Sequence, residues 1–159
     1  MLLRLATLAV LGCLLVPRVA AAQEPVDCGP KGDKHVVIKH KGDFPVPSPA
    51  AGRAMVVVVT GGAFSKSYQT KLAVNGTWRA VMNEKQYSFF EVDPGPLRLC
   101  WSQRGGKRDD NFLLVTARAG ETYYIRGTTL KGISEMDPAE GRKFVQKKTY
   151  VTFEVRDDD

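Results

Sequence analysis

The sequence predicts an all-β protein: an antiparallel β-sandwich, immunoglobulin-like or prealbumin-like, of seven or eight strands with one short helix before the last strand. Three observations carry this. Short runs rich in β-branched and aromatic residues recur between residues 54 and 155. Turn chemistry separates many of them, at Asn75-Gly76, Asp93-Pro94-Gly95-Pro96 and Ala119-Gly120. No regular alternation of strands with helical patterns supports a parallel sheet.

Taken in order, residues 35–40 (HVVIKH) form a first short strand inside an otherwise extended segment. Residues 42–52 carry Pro45, Pro47 and Pro49, a linker of polyproline character. Residues 54–60 (AMVVVVT) are apolar on both faces and predict a central, buried strand. Residues 68–75 and 77–82 flank Asn75-Gly76, a strong two-residue hairpin signal. Residues 86–92 and 97–103 flank the Asp-Pro-Gly-Pro stretch, and 112–118 and 121–130 flank Ala119-Gly120. Asp137-Pro138 is an N-cap followed by proline at the first helical position, so a helix is expected over 138–147, weakened by Gly141. Residues 150–155 close the domain, with Val151, Phe153 and Val155 on one face.

If residues 86–103 form one hairpin, Val92 faces Leu97, Phe90 faces Leu99 and Ser88 faces Trp101 on an inner face. Glu91 then pairs with Arg98, Phe89 with Cys100 and Tyr87 with Ser102 outside. That outer face is apolar for an exposed one. A disulfide from Cys100 to Cys28 would lay the N-terminal segment across Cys100, Phe89 and Tyr87.

The ends set the compartment. Arg4 precedes an apolar run over 5–16, and Ala20-Ala21-Ala22 stands before Gln23. This is the pattern of a secretory signal peptide cleaved between Ala22 and Gln23. The run is shorter than the roughly 20 residues a membrane-spanning helix needs, so no transmembrane span is expected. Val10-Leu11-Gly12-Cys13 offers the alternative of a lipoprotein box anchored through Cys13, with Leu11 a poor fit to the small residue usual there. The expected location is periplasmic or extracellular, with a membrane-anchored lipoprotein as the alternative. The expected organisation is a signal over 1–22, an extended Pro/Gly-rich segment over 23–52, a sandwich domain over 53–156 and an acidic tail over 157–159.

The formal charge of +6 falls by two when Arg4 and Arg18 leave with the signal. The remaining basic residues are scattered and interleaved with acids, as in Lys107-Arg108-Asp109-Asp110, which excludes the basic stripe of a nucleic-acid binder. Three cysteines reduce to Cys28 and Cys100. An even count in an oxidising compartment predicts one disulfide closing a loop of roughly 70 residues, the alternative being two buried thiols.

Several stretches together resemble the bacterial family known as domain of unknown function 2846: CGP (28–30), GRAMVVVV (52–59), LAVNGTWRAVM (72–82), YSFFEVDPGPLRLC (87–100), ARAGETYYIRG (117–127) and MDPAEGRKFV (136–145). The resemblance covers most of the chain after the signal. It implies a small secreted or lipid-anchored β-sandwich, and it brings no catalytic residues.

No enzyme motif stands out. His35 and His40 are five apart and point to opposite faces of a strand, so no metal site is expected from them. Ser65, Ser67 and Ser88 lack a nucleophile context, and TGGAF (60–64) is not followed by the Lys-Ser/Thr of a phosphate loop. No cofactor is expected, and calcium binding at Asp157-Asp158-Asp159 is not. The candidate contact residues lie on two loops: Phe64, Lys66 and Tyr68 within 61–68, and Arg104, Lys107 and Arg108 within 104–111. Trp78 is expected to pack in the core or at an edge. The expected function is a non-catalytic exported module of the bacterial cell envelope that binds or scaffolds another envelope protein. The alternative is carbohydrate or cell-wall polymer binding through loop aromatics.

Overall fold

The computed structural model describes residues 28–30, 32, 34–61, 69–103, 111–128 and 131–156. Among these residues ten strands and one helix follow in chain order: β1 (Lys34–Lys39), β2 (Ala54–Thr60), β3 (Thr70–Val74), β4 (Thr77–Met82), β5 (Gln86–Val92), β6 (Gly95–Gln103), β7 (Asn111–Ala117), β8 (Thr122–Thr128), β9 (Gly132–Met136), α1 (Pro138–Val145) and β10 (Thr149–Arg156). They form an all-β sandwich. One sheet has six strands in the order β1-β10-β5-β2-β8-β9, the other four in the order β4-β3-β6-β7.

β2 explains the architecture. Its seven residues are all buried. Ala54, Val56 and Val58 point between the sheets with Leu72, Leu99, Trp101, Ile125 and Val151. Met55, Val57 and Val59 point the other way, into a second apolar cluster with Tyr87, Tyr124, Met136 and Val145. A strand apolar on both faces needs cover on both. The larger sheet therefore carries α1 and residues near Val46 on its outer side.

The Asn75-Gly76 hairpin forms as expected: β3 and β4 pair antiparallel with Val74 opposite Thr77. Asn75 at φ 50° and Gly76 at φ 85° supply the two positive φ values of a type I′ turn. The helix begins where the capping residue puts it. The Asp137 carboxylate accepts from the Ala139 and Glu140 backbone N–H groups at 2.8 and 3.2 Å. It ends at Val145 rather than 147. Gly141, a weak helix former, is buried against the Tyr124 ring. A Cβ there would fall 2.2 Å from Tyr124 Cγ, so helix and sheet touch at this point only through glycine.

Two expected hairpins do not form. β5 pairs with β2 and β10, while β6 pairs with β3 and β7, so residues 93–96 arch from one sheet to the other. Residues 118–121 do the same between β7 and β8. The outer faces give the physical reason. Tyr87 and Phe89 belong to the cluster under α1, whereas Cys100 belongs to a separate one with Cys28, Ala73 and Trp78. One hairpin would have placed these differently covered faces on one surface. The expected Glu91–Arg98 pair is absent with it: Glu91 lies 4.0 Å from Arg53, and Arg98 sits 3.9 Å over the Phe112 ring. The inner sets, Phe90 and Val92, then Leu97, Leu99 and Trp101, still face the core, because a strand's two-residue period holds whatever its partner.

Two further differences concern the larger sheet. The described residues form ten strands rather than the seven or eight expected, and β9 is the one that no expected run covers. β2–β8 and β5–β10 pair parallel within the otherwise antiparallel fold. β1 forms where a first short strand was expected, over 35–40, and is an edge strand paired along its length with β10.

Candidate functional site

The outer face of the larger sheet holds a ring cluster. Phe89 stacks on Tyr150 with centroids 4.7 Å apart, Phe44 lies 5.1 Å from Tyr150, and Tyr87 lies 5.5 Å from it. His40 joins from the end of β1, 5.0 Å from Tyr150 and 5.5 Å from Phe44. Its Nε2 is 2.9 Å from Thr152 Oγ1. The prolines explain how residues 42–46 reach this face. A chain that cannot donate through every N–H runs past the sheet without joining it. It is fastened instead by a side chain, the Tyr87 hydroxyl donating to the Phe44 carbonyl. Burial, then the Asp43 carboxylate, then Tyr150 push the Tyr87 phenol above its ordinary range, so it stays protonated and remains the donor.

Between this segment and α1 lies a cleft of about 550 Å³. Residues 42–46 form one wall. Arg142, Val145, Gln146 and Lys148 form the other, and Tyr87 and Tyr124 line the space between. Both tyrosines are almost fully buried, so the floor is fixed by packing. The rim carries opposite charges on opposite walls, Asp43 against Arg142 and Lys148.

The cations on the helix side are unusually placed. Phe144 has Arg126 5.0 Å and Lys148 5.5 Å from its ring. Arg126 Nε is buried without a hydrogen-bond partner. Burial, Arg126 and Lys85 lower the affinity of Lys148 for its proton, and Glu84 offsets only part of this. Among the described residues the ion pairs are Arg53 with Glu91 and Asp93, and Arg118 with Glu121, so Arg126, Arg142 and Lys148 take part in none.

A second hollow, of about 290 Å³, lies at the end of the sandwich between Arg53, Arg79, Glu91 and Asp93. Here the groups satisfy one another. Arg53 pairs with Asp93 and Glu91, Ala50 N–H donates to Glu91 Oε1 at 2.6 Å, and Arg79 donates to the Glu91 carbonyl at 3.1 Å. This network ties the arch to β2 and leaves little for a ligand.

The expected Cys28–Cys100 disulfide is present, with Cα atoms 5.2 Å apart. It covers a different surface from the one expected. Cys28, Gly29 and Pro30 lie over Trp78 on the smaller sheet, where the Trp78 indole donates to the Pro30 carbonyl at 3.0 Å. A Cβ on Gly29 would fall 2.6 Å from the Trp78 ring, so only glycine lets the segment lie flat. Tyr87 and Phe89 are covered by Phe44, Val46 and Tyr150 instead.

The candidate contact residues Phe64, Lys66, Tyr68, Arg104, Lys107 and Arg108 lie outside the described residues, as do Ala22, Gln23, Cys13 and the acidic tail. Sequence reasoning did not single out Phe44, Arg142 or Lys148. The signal available was the apolar outer face of residues 87–89, which demanded a cover. Among the described residues no group of three or more His, Cys, Asp and Glu side chains is placed to hold a metal ion. No described helix is long and apolar enough to cross a membrane. Comparison with family models, with curated proteins and with solved structures finds no match to this chain.

Proposed function

We propose that this chain is a non-catalytic module of the bacterial cell envelope, exported and stapled by its disulfide, that holds a segment of cell-wall carbohydrate in the cleft beside α1. One observation carries the proposal: a space of about 550 Å³ with fixed aromatic residues, walled by charged and amide side chains. Ligand clefts of this size range, largely apolar with a few converging polar groups, are the usual form of small-molecule sites. The partly exposed Phe44 ring suits a sugar face, and Asp43, Arg142, Gln146 and Lys148 suit hydroxyls. Export is supported by the signal-like N-terminus and the disulfide. The resemblance to the domain of unknown function 2846 family points to the same compartment.

The test is co-sedimentation with purified cell wall. Phe44→Ala and Gln146→Ala should each lower the bound fraction several-fold, while Arg118→Ala, on the turn before β8, should not. Equal binding by all four proteins contradicts the proposal.

An envelope protein as partner is the second reading, favoured by β7. Among the described strands it pairs on one side only, and it exposes Phe112 and Leu114, at 43 % and 78 %. An uncharged edge of this kind accepts an added strand. Leu114→Lys should then abolish co-purification of a partner without changing cell-wall binding.

A further inference from the structure

We propose that the cleft selects its saccharide by a negative charge, with Lys148 and Arg142 forming the anion subsite. This rests on the cleft being the ligand site, and adds the class of ligand: an acidic sugar rather than a neutral one.

Three observations lead there. The helix-side wall carries two cations that form no ion pair among the described residues, Glu84 acting on Lys148 only in part. A third, Arg126, lies against the other cation's aromatic neighbour, Phe144, with its Nε buried and unpaired. A buried polar atom without a partner is costly, so the Arg126 Nε calls for an explanation; Lys148 beside it is half-buried and Arg142 is exposed. The simplest structural explanation is that basic residues complement the carbonyl end of α1. For Lys148 the surroundings still disfavour the ammonium on balance, through burial and Arg126, with Glu84 offsetting part of it. A carboxylate or phosphate brought to this wall would relieve the repulsion and make charge-assisted hydrogen bonds, which are the strong ones.

The opposite wall fixes the orientation. Asp43 repels an anion placed against residues 42–46, so the charged substituent must face α1. The ring it hangs from then lies towards Phe44 and Tyr87. A ligand with its charge at one edge of a pyranose meets both conditions. A neutral sugar meets only the second.

The experiment is calorimetric titration of the full chain with trigalacturonate and with its methyl ester, which has the same shape without the charge. Mannose 6-phosphate against mannose forms the second arm. Tighter binding of either charged ligand by tenfold or more over its neutral counterpart is the expected result, and the arm that shows it tells carboxylate from phosphate. Lys148→Met should lose that preference while unfolding no earlier than the parent, which separates a lost contact from a damaged fold. Equal affinity for charged and neutral ligands, with binding still weakened by Phe44→Ala, overturns the anion subsite and leaves the cleft reading standing. No binding of any of the four overturns both. Unchanged preference in Lys148→Met also overturns the subsite.

Discussion

Lys148 is held where its charge is disfavoured, and this has a sign that stability measurements read directly. Its folded-state proton affinity lies below the ordinary lysine value. The folded protein therefore binds fewer protons than the unfolded one between the two values, and stability rises with pH across that window. Below it the cost is present in full. Lys148→Met should raise the melting temperature at pH 7, and the gain should shrink as pH approaches 10.5. A variant that melts lower at pH 7 contradicts this account of the site. A residue that weakens the fold where a ligand would sit is a common compromise between stability and function. Gly127 shows the opposite case, a residue fixed by packing. A Cβ there would fall 2.2 Å from the Trp101 ring, which is buried in the core. Gly127→Ala should cost about 1–3 kcal/mol, the usual range for overpacking, read from the urea midpoint. Neither role was legible in the sequence, because both depend on which strands become neighbours.

Strands were legible and their partners often were not. Residues 54–60, 77–82 and 86–92 coincide with β2, β4 and β5, because β-branched and aromatic content with turn flanks is a local signal. The Asn75-Gly76 turn fixed its pairing locally, since only a type I′ hairpin uses two positive φ values there. Asp93-Pro94-Gly95-Pro96 did not. It serves an arch between sheets as well as a hairpin, and the choice was made by what covers Tyr87 on one side and Cys100 on the other. β9 was missed because GISEM carries little apolar content and is an edge strand with two exposed residues. The disulfide was inferred from the cysteine count, and its place over Trp78 followed only from the structure. Reducing it frees a loop spanning 72 residues and should cost about 4 kcal/mol. The check is denaturant unfolding with and without reductant, and a midpoint that does not move would show that the staple adds nothing to the fold.

At the level of the whole molecule, two sheets enclose one core, and the larger sheet needs a second cover because β2 is apolar on both faces. The cover is partial: α1 takes one part, residues 42–46 another, and the cleft is what lies between. The sandwich class was legible from strand spacing alone. The cleft was not, because its walls come from a proline-rich stretch that reads as a linker and a short helix whose packing partner the sequence does not show. Its most direct test is amide shift mapping by NMR during titration with trigalacturonate. Shifts gathered at residues 42–46, Tyr87, Gln146 and Lys148 are the predicted result. Shifts gathered along β7, or spread with no focus on the cleft, would contradict it.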